Sequence, residues 1–140
     1  MIYDDLFQRV LVDPINYGAN DLKIITGYAS SAMAFNQLER IKLLNKELTI
    51  SLIIGMCVND GIGIGNHRGF RKIMDEDYNG KFTCSYVTKK PAVHSKMYVW
   101  SREGEPIKTF IGSANYSQNA FFSGSREILA EVDSTYSIDY

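Results

Sequence analysis

A histidine and a lysine two positions apart, followed by a run of small polar residues, are the part of this sequence best suited to chemistry. The pair is His94 and Lys96, and the run Gly-Ser-Ala-Asn occupies residues 112–115. A neutral imidazole can attack phosphorus or carry a proton near neutral pH, while an ammonium group binds phosphate oxygens and offsets their developing charge. Ser113 and Asn115 add a hydroxyl and an amide as donors. These residue types predict a site that cleaves a phosphodiester bond without a metal ion.

Patterns of apolar residues predict the elements that precede this site. Helical spacing in residues 2–11 predicts a first helix that ends before Pro14, and Ser30 or Ser31 can cap a second helix. Residues 22–28 and 48–56 predict strands, and the second is apolar enough to suit an interior strand covered on both faces. Residues 67–77 predict a further helix. The alternation predicts an α/β fold with a mixed, mostly parallel sheet flanked by helices.

Four more strands are predicted in the second half of the chain, in residues 82–88, 93–100, 107–111 and 127–132. A polar turn at residues 102–104 joins the middle pair. Side chains two apart on a strand share a face, so His94 and Lys96 are expected to emerge together from strand 93–100. Glu127, at the start of the last strand, could orient an imidazole through its far ring nitrogen.

The two motif pieces resemble the signature of the phospholipase D superfamily, which is His-x-Lys followed by an acidic residue and then by Gly-Ser-x-Asn. Residues 94–96 and 112–115 fit this signature, and the resemblance covers nearly the whole chain. The family usually has Asp after four residues that follow the motif lysine, whereas this chain has Ser101 at that position. The variant motif and the short chain are similar to the catalytic domains of phospholipase D-type restriction endonucleases. The resemblance therefore favours the nuclease branch.

The resemblance also implies a fold, a substrate and roles for the site residues. It implies a phospholipase D-like sandwich, formed by residues 1–140 as one domain, that cleaves DNA through a phosphohistidine on His94. Lys96 and Asn115 would bind the scissile phosphate with help from Ser113, and Glu127 would hold His94. Two alternatives stay open: a non-catalytic DNA-binding or dimerisation module of the same fold, and a phospholipase-type phosphodiesterase.

Mechanism requires a second imidazole, because the leaving oxygen should be protonated while the nucleophile attacks. The sequence has two histidines, and His67 stands outside any His-x-Lys pair. The second catalytic imidazole is therefore expected to be His94 of another copy across a two-fold axis, which predicts a homodimer with one shared site. His67 could instead contact the nucleic-acid backbone together with Arg68.

Composition is compatible with this prediction. The net charge is −1, yet Lys89 and Lys90 lie in a locally basic stretch close to His94 and are candidates for binding the DNA backbone. No apolar run is long enough to span a bilayer and the start does not read as a secretion signal, so we expect no membrane partner and a cytoplasmic location. A DNA-recognition domain or subunit is expected outside this chain.

Other patterns compete with this prediction. The glycine-rich residues 61–65 lack the spacing of a nucleotide-binding loop and are interpreted as a substrate-facing loop. Asp13 with the run at residues 21–23 is loosely similar to a metal-dependent nuclease motif, but its spacing is too short. The acidic residues 75–77 are interpreted as a solvated helix end rather than a metal site. Cys57 and Cys84 are predicted to be core thiols, and no cofactor is expected.

Overall fold

A computed structural model describes residues 1–122 and 126–134 of the chain. In chain order the elements are α1 (Leu6–Leu11), a 3₁₀ turn (Asp13–Tyr17), β1 (Asp21–Thr26), α2 (Ser31–Leu43), β2 (Thr49–Ile54), α3 (Cys57–Asp60), α4 (Ile64–Lys72), a π-helical extension of α4 (Ile73–Asp77), β3 (Phe82–Tyr86), β4 (Met97–Arg102), β5 (Glu105–Gly112), α5 (Gln118–Phe122) and β6 (Leu129–Val132). The predicted α/β class is confirmed.

The strands form one six-stranded mixed sheet in the order β3-β2-β1-β4-β5-β6. The pairs β1–β2 and β2–β3 are parallel, whereas β1–β4, β4–β5 and β5–β6 are antiparallel. The expectation of a mostly parallel sheet is therefore wrong for the second half of the chain. The reason is connectivity: helices cross over between the first three strands, while a tight turn joins β4 to β5 and forces antiparallel pairing.

Local sequence signals explain where these elements begin and turn. The hydroxyl of Ser30 accepts a hydrogen bond from Met33 N at the start of α2, which confirms a predicted cap. Between β4 and β5, Glu103 and Gly104 have φ angles of 51° and 82°. Two consecutive positive φ angles are typical of the two-residue turn whose twist matches that of antiparallel strands. The hairpin predicted at this point is therefore confirmed.

One face of the sheet packs against the helices and forms the core. Ile50, Leu52 and Ile54 of β2 are buried on this face, whereas Ile53 on the opposite face is 40% exposed. The prediction that β2 is covered on both faces is wrong, because its burial alternates along the strand. The continuous apolar pattern could not distinguish a strand with two covered faces from a strand with one.

Aromatic residues of β4 anchor the sheet to the helices. Tyr98 and Trp100 are fully buried. The indole nitrogen of Trp100 donates a hydrogen bond of 2.8 Å to the backbone oxygen of Val10 in α1. Burying a large aromatic side chain contributes roughly 2–3 kcal/mol through its apolar surface, provided its polar group finds a partner. These contacts fix β4 against the helices, and they therefore anchor the segment that leads into β4.

Candidate active site

The two motif pieces meet at the carboxyl ends of β1 and β2. Gly27 directly follows β1. A Cβ atom placed on Gly27 would lie 3.4 Å from Asn115 Oδ1, 3.9 Å from Lys96 Nζ and 3.2 Å from Met56 Cγ. The bare α-carbon of Gly27 therefore faces the space in which the lysine and the asparagine converge. Ligands commonly bind at this edge of α/β sheets, outside the carboxyl ends of parallel strands.

The segment that carries His94 and Lys96 is not the strand that the sequence predicted. β4 begins only at Met97, and residues 92–96 have no regular secondary structure. Val93 N donates a hydrogen bond of 3.0 Å to Gly55 O, just beyond the end of β2. The segment thus crosses the end of the sheet instead of extending beside β1. The alternation argument for a shared strand face therefore does not apply to His94 and Lys96.

A direct contact nevertheless links the two residues of the pair. Lys96 Nζ donates a hydrogen bond of 2.9 Å to the backbone oxygen of His94. The side chain of His94 is exposed, whereas Lys96 is partly buried. An exposed imidazole beside a restrained ammonium group is accessible to a large anionic substrate, and the ammonium can still turn its remaining hydrogens to phosphate oxygens.

Asn115 is held from the end of β1. Its Oδ1 atom accepts hydrogen bonds from Thr26 Oγ1 at 3.1 Å and from Tyr28 N at 3.2 Å. A parallel bridge between Ala29 and Tyr116 fixes the surrounding backbone. Within the described ranges, no acceptor takes a hydrogen bond from Nδ2 of Asn115. The amide nitrogen is therefore left with two hydrogens for a ligand.

Ser113 and Glu127 form a pair of their own. The Ser113 hydroxyl hydrogen-bonds the Glu127 carboxylate and accepts a hydrogen bond of 3.0 Å from Ile128 N. Gly112 lies so close to β6 that an added Cβ would be 2.1 Å from Ile128 O. The close approach explains the glycine of the motif, because any side chain would separate the strands. The roles predicted for Ser113 on phosphate and for Glu127 on His94 remain predictions.

A buried polar chain supports the Gly-Ser-Ala-Asn run from behind. Tyr98 donates a hydrogen bond of 2.7 Å to Ala114 O, and the Tyr116 hydroxyl donates one of 2.5 Å to Gln37 Oε1. Gln37 in turn donates to Leu11 O at 2.9 Å. Burial raises the pKa of Tyr98 and of Tyr116 well above the ordinary tyrosine value, so both hydroxyls stay protonated.

Sequence reasoning missed both Thr26 and Gln37. Gln37 did leave a signal, because it lies one turn from Met33 and one turn from Ile41 on the buried side of α2. A polar residue at such a position needs a buried partner. Thr26 left no comparable signal, since a threonine at the end of a strand is ordinary.

The predicted DNA-backbone residues lie on two different elements. Lys89 and Lys90 are exposed in the segment after β3, and Arg68 is exposed on α4. His67 is half-buried, and its Nδ1 atom lies 2.8 Å from the hydroxyl of Tyr86. Burial raises the pKa of Tyr86 to about 12, so this hydroxyl remains protonated at neutral pH. The contact of these four residues with DNA stays a prediction.

The loop before α4 is tied to the end of β1. The Tyr28 hydroxyl donates a hydrogen bond of 2.5 Å to Asp60 Oδ2, and this bond raises the pKa of Tyr28. The glycine-rich residues 61–65 include the start of α4 at Ile64. The expected loop is therefore shorter than the glycine pattern indicated, because α4 starts inside it. Its contact with a substrate remains a prediction.

The acidic residues 75–77 and the two cysteines form no further site within residues 1–122 and 126–134. Asp75 pairs with Arg71 at 3.6 Å and Asp77 with Lys72 at 3.3 Å on the exposed end of α4 and its extension. The described ranges contain no group of three His, Cys, Asp or Glu side chains placed to hold a metal ion. Cys57 and Cys84 are free and partly buried, and burial raises the pKa of both thiols.

The order of the motif pieces, the sheet that carries them and the meeting of Lys96 with Asn115 define a domain of the phospholipase D type. Residues 4–140 match the family described as "NgoFVII restriction endonuclease N-terminal PLD domain". Because the match spans nearly the whole chain, the chain belongs to this family. No curated protein matches it.

Two solved structures are similar to this chain in fold. Polyphosphate kinase from Porphyromonas gingivalis has a TM-score of 0.58 and 17% identity, with 94% of this chain and 18% of the kinase chain covered. NucT from Helicobacter pylori has a TM-score of 0.58 and 17% identity, with 98% of this chain and 86% of NucT covered. Identity this low shows a shared fold alone. The chain spans less than a fifth of the kinase.

No helix in residues 1–122 and 126–134 combines the length and the apolar character that crossing a bilayer requires.

Proposed function

We propose that this chain cleaves phosphodiester bonds of DNA, without a metal ion, as the endonuclease domain of a restriction enzyme. The observation that carries the proposal is the convergence of Lys96 and Asn115 beside Gly27, next to the exposed His94. The restriction endonuclease named by the matching family supports DNA as the substrate. No other arrangement described in the chain combines a nucleophile, a cation and unused amide donors.

The site residues have distinct roles in the proposed reaction. Lys96 Nζ and Asn115 Nδ2 donate hydrogen bonds to the non-bridging oxygens of the scissile phosphate, and Lys96 offsets the charge that develops there. Ser113 assists from the adjacent turn. Glu127 holds the imidazole of His94 in the orientation needed for attack. Positive charge and amide donors together perform the charge stabilisation that bound metal ions perform in other nucleases.

The proposed reaction has two displacements at phosphorus. A ring nitrogen of neutral His94 attacks, a P–N bond forms, and the bond from phosphorus to the leaving deoxyribose oxygen breaks. A second imidazolium gives its proton to that oxygen. In the second step the second imidazole, which is now neutral, takes a proton from water as the water oxygen attacks phosphorus. The P–N bond then breaks and returns neutral His94 with a terminal phosphate on the cut strand.

A homodimer would supply the second imidazole. Within one chain the other histidine is His67, and its Nδ1 atom already lies 2.8 Å from the hydroxyl of Tyr86. The proposal therefore assigns the acid and base role to His94 of a second copy, related by a two-fold axis that passes through a shared site. Activity should then require dimerisation, and a monomer that cleaves DNA at high dilution would contradict the shared site.

Contacts outside the site complete the proposal. Lys89, Lys90, Arg68 and His67 would bind the backbone of the DNA without reading its sequence. Sequence recognition would come from another domain or subunit, and the enzyme would act in the cytoplasm. The rate of cleavage by this domain should fall as salt concentration rises, because backbone contacts release counterions.

Plasmid cleavage in EDTA tests the proposed function. Wild-type protein and His94→Ala are incubated with supercoiled plasmid, and nicked and linear products are followed on a gel. We expect wild type to cleave and His94→Ala to be inactive. Thr49→Ala, at the exposed first position of β2 and away from the site, serves as the control and should cleave at the wild-type rate. His67→Ala should keep the cleavage step and lose only affinity for DNA. Equal activity of wild type and His94→Ala would contradict the proposal, and loss of wild-type activity in EDTA would contradict the metal-free route.

A further inference from the structure

We propose that Thr26 is a positioning residue, which orients the carboxamide of Asn115 so that its nitrogen faces the phosphate. The inference rests on the phosphate-binding role proposed for Asn115. Thr26 ends β1, and its side chain is completely buried. It contacts Asn115 and never touches the substrate in this scheme, so its effect must pass through the amide.

Hydrogen bonds fix which end of the amide points where. Asn115 Oδ1 accepts from Thr26 Oγ1 at 3.1 Å and from Tyr28 N at 3.2 Å. A backbone N–H can only donate, so the atom facing Tyr28 N must be the oxygen rather than the nitrogen. This argument settles an orientation that the shape of an asparagine side chain leaves ambiguous. Nδ2, with both hydrogens unused, consequently points away from β1.

The hydroxyl of Thr26 is itself held in place. Its oxygen accepts a hydrogen bond of 3.1 Å from Tyr116 N. Its single hydrogen is shared between Tyr28 O at 2.8 Å and Asn115 Oδ1 at 3.1 Å. The buried Thr26 side chain therefore bonds to Tyr28, to Asn115 and to Tyr116, the residue that follows Asn115. A rotation of the carboxamide by half a turn would place amide hydrogens against Tyr28 N–H, which is unfavourable.

Substitutions at residue 26 can separate the effect of side-chain shape from the effect of the hydroxyl group. Valine has nearly the shape of threonine and lacks the hydroxyl, whereas serine keeps the hydroxyl and lacks a methyl group. Thr26→Val removes the donor to Asn115 Oδ1 and also the bond to Tyr28 O, so the Tyr28 N–H that opposes rotation is no longer held in place. The carboxamide should then be able to rotate, whereas Thr26→Ser keeps these bonds. Losing the fixed donor is expected to weaken phosphate binding about tenfold, which is the usual effect of one hydrogen bond. The same substitution in an Asn115→Ala background should cost nothing more.

Binding of inorganic phosphate, followed by NMR of the ¹⁵N-labelled chain, tests the inference. The side-chain amide resonance of Asn115 is assigned from its absence in Asn115→Ala, and phosphate is titrated at a temperature well below every variant's Tm. We expect wild type and Thr26→Ser to bind equally and Thr26→Val to bind about tenfold more weakly. Unchanged binding by Thr26→Val would overturn the inference. Equal losses in the serine and valine variants, or additive losses with Asn115→Ala, would also overturn it, since they indicate a merely structural role.

Thr26→Cys keeps the test decisive if Thr26→Val does not fold. A thiol is a much weaker donor and acceptor than a hydroxyl, so Thr26→Cys should bind phosphate more weakly than Thr26→Ser. Equal phosphate affinity in the cysteine and serine variants would overturn the inference.

Failure of the proposed nuclease is distinguishable from failure of this inference. A chain that cuts no DNA but binds phosphate in a Thr26-dependent manner refutes the nuclease and supports the positioning role. If wild type cuts DNA but Thr26→Val binds phosphate normally, the nuclease is supported and the positioning role is refuted. Absence of phosphate binding by wild type would overturn the inference, and plasmid cleavage in EDTA would then decide the nuclease separately.

Discussion

An added methyl group at Gly55 should disturb the site more than its size suggests. A Cβ on Gly55 would lie 2.0 Å from Val93 O and 2.7 Å from Val93 Cβ. Non-bonded heavy atoms rest at about 3.5 Å, so Gly55→Ala must push back the segment that carries His94 by more than about 1 Å. The hydrogen bond of 3.0 Å from Val93 N to Gly55 O would be strained as well.

Activity should fall much further than stability in Gly55→Ala. Overpacking of this kind costs about 1–3 kcal/mol, which a domain of ordinary stability survives. A displacement of about 1 Å at a reacting group lowers the rate about 100-fold. We therefore expect a folded protein whose plasmid cleavage in EDTA is about 100-fold slower than that of wild type.

Gly63→Ala is the matched control for this measurement. No atom lies within 4 Å of a Cβ built on Gly63, and its φ of −62° suits any residue. With saturating DNA, which removes any effect of the loop on substrate binding, the control should cleave at the wild-type rate and its Tm should be unchanged. If Gly55→Ala also cleaves at the wild-type rate, or if both variants lose activity equally, the contact with Val93 does not place His94 and the reasoning is refuted.

Three further substitutions test the site and its support. Gly27→Ala should fold, because the tightest contact of its Cβ, 3.2 Å to Met56 Cγ, is with a flexible side chain that can shift, yet it should bind inorganic phosphate more weakly by titration; unchanged affinity would contradict the assignment. Gln37→Leu leaves the Tyr116 hydroxyl and a backbone oxygen buried without partners, so urea denaturation should show a loss of roughly 3 kcal/mol. Asp21→Asn should raise Tm at pH 7 but not at pH 3, because burial raises the pKa of Asp21 and penalises only its charged form; equal changes at both pH values would refute this cause.

The parts of the fold that follow local rules could be predicted from the sequence. Ser30 caps α2 because a serine hydroxyl satisfies a free N–H in the first turn. The polar residues 102–104 predicted a turn between two strands, and Glu103 and Gly104 have the positive φ angles of a two-residue hairpin turn. Each of these features depends on residues close together in the chain.

Features that depend on long-range contacts could not be predicted in this way. Residues 92–96 have the composition of a strand, but the contact of Val93 with Gly55 carries them across the end of the sheet. In the sequence Thr26 is an ordinary strand residue, and only its hydrogen bond to Asn115 in the fold distinguishes it. The sequence identified the types of residue in the site, whereas their mutual orientation depends on packing between distant segments.

The stereochemical course of cleavage tests the central claim most directly. Each in-line displacement at phosphorus inverts its configuration, so two displacements through a phosphohistidine on His94 restore the original configuration. DNA with one phosphorothioate of known configuration at the scissile position is cleaved in ¹⁸O-labelled water, and the product's configuration is determined. The account predicts net retention. Net inversion would mean that water attacks the DNA directly, and it would contradict a covalent intermediate on His94.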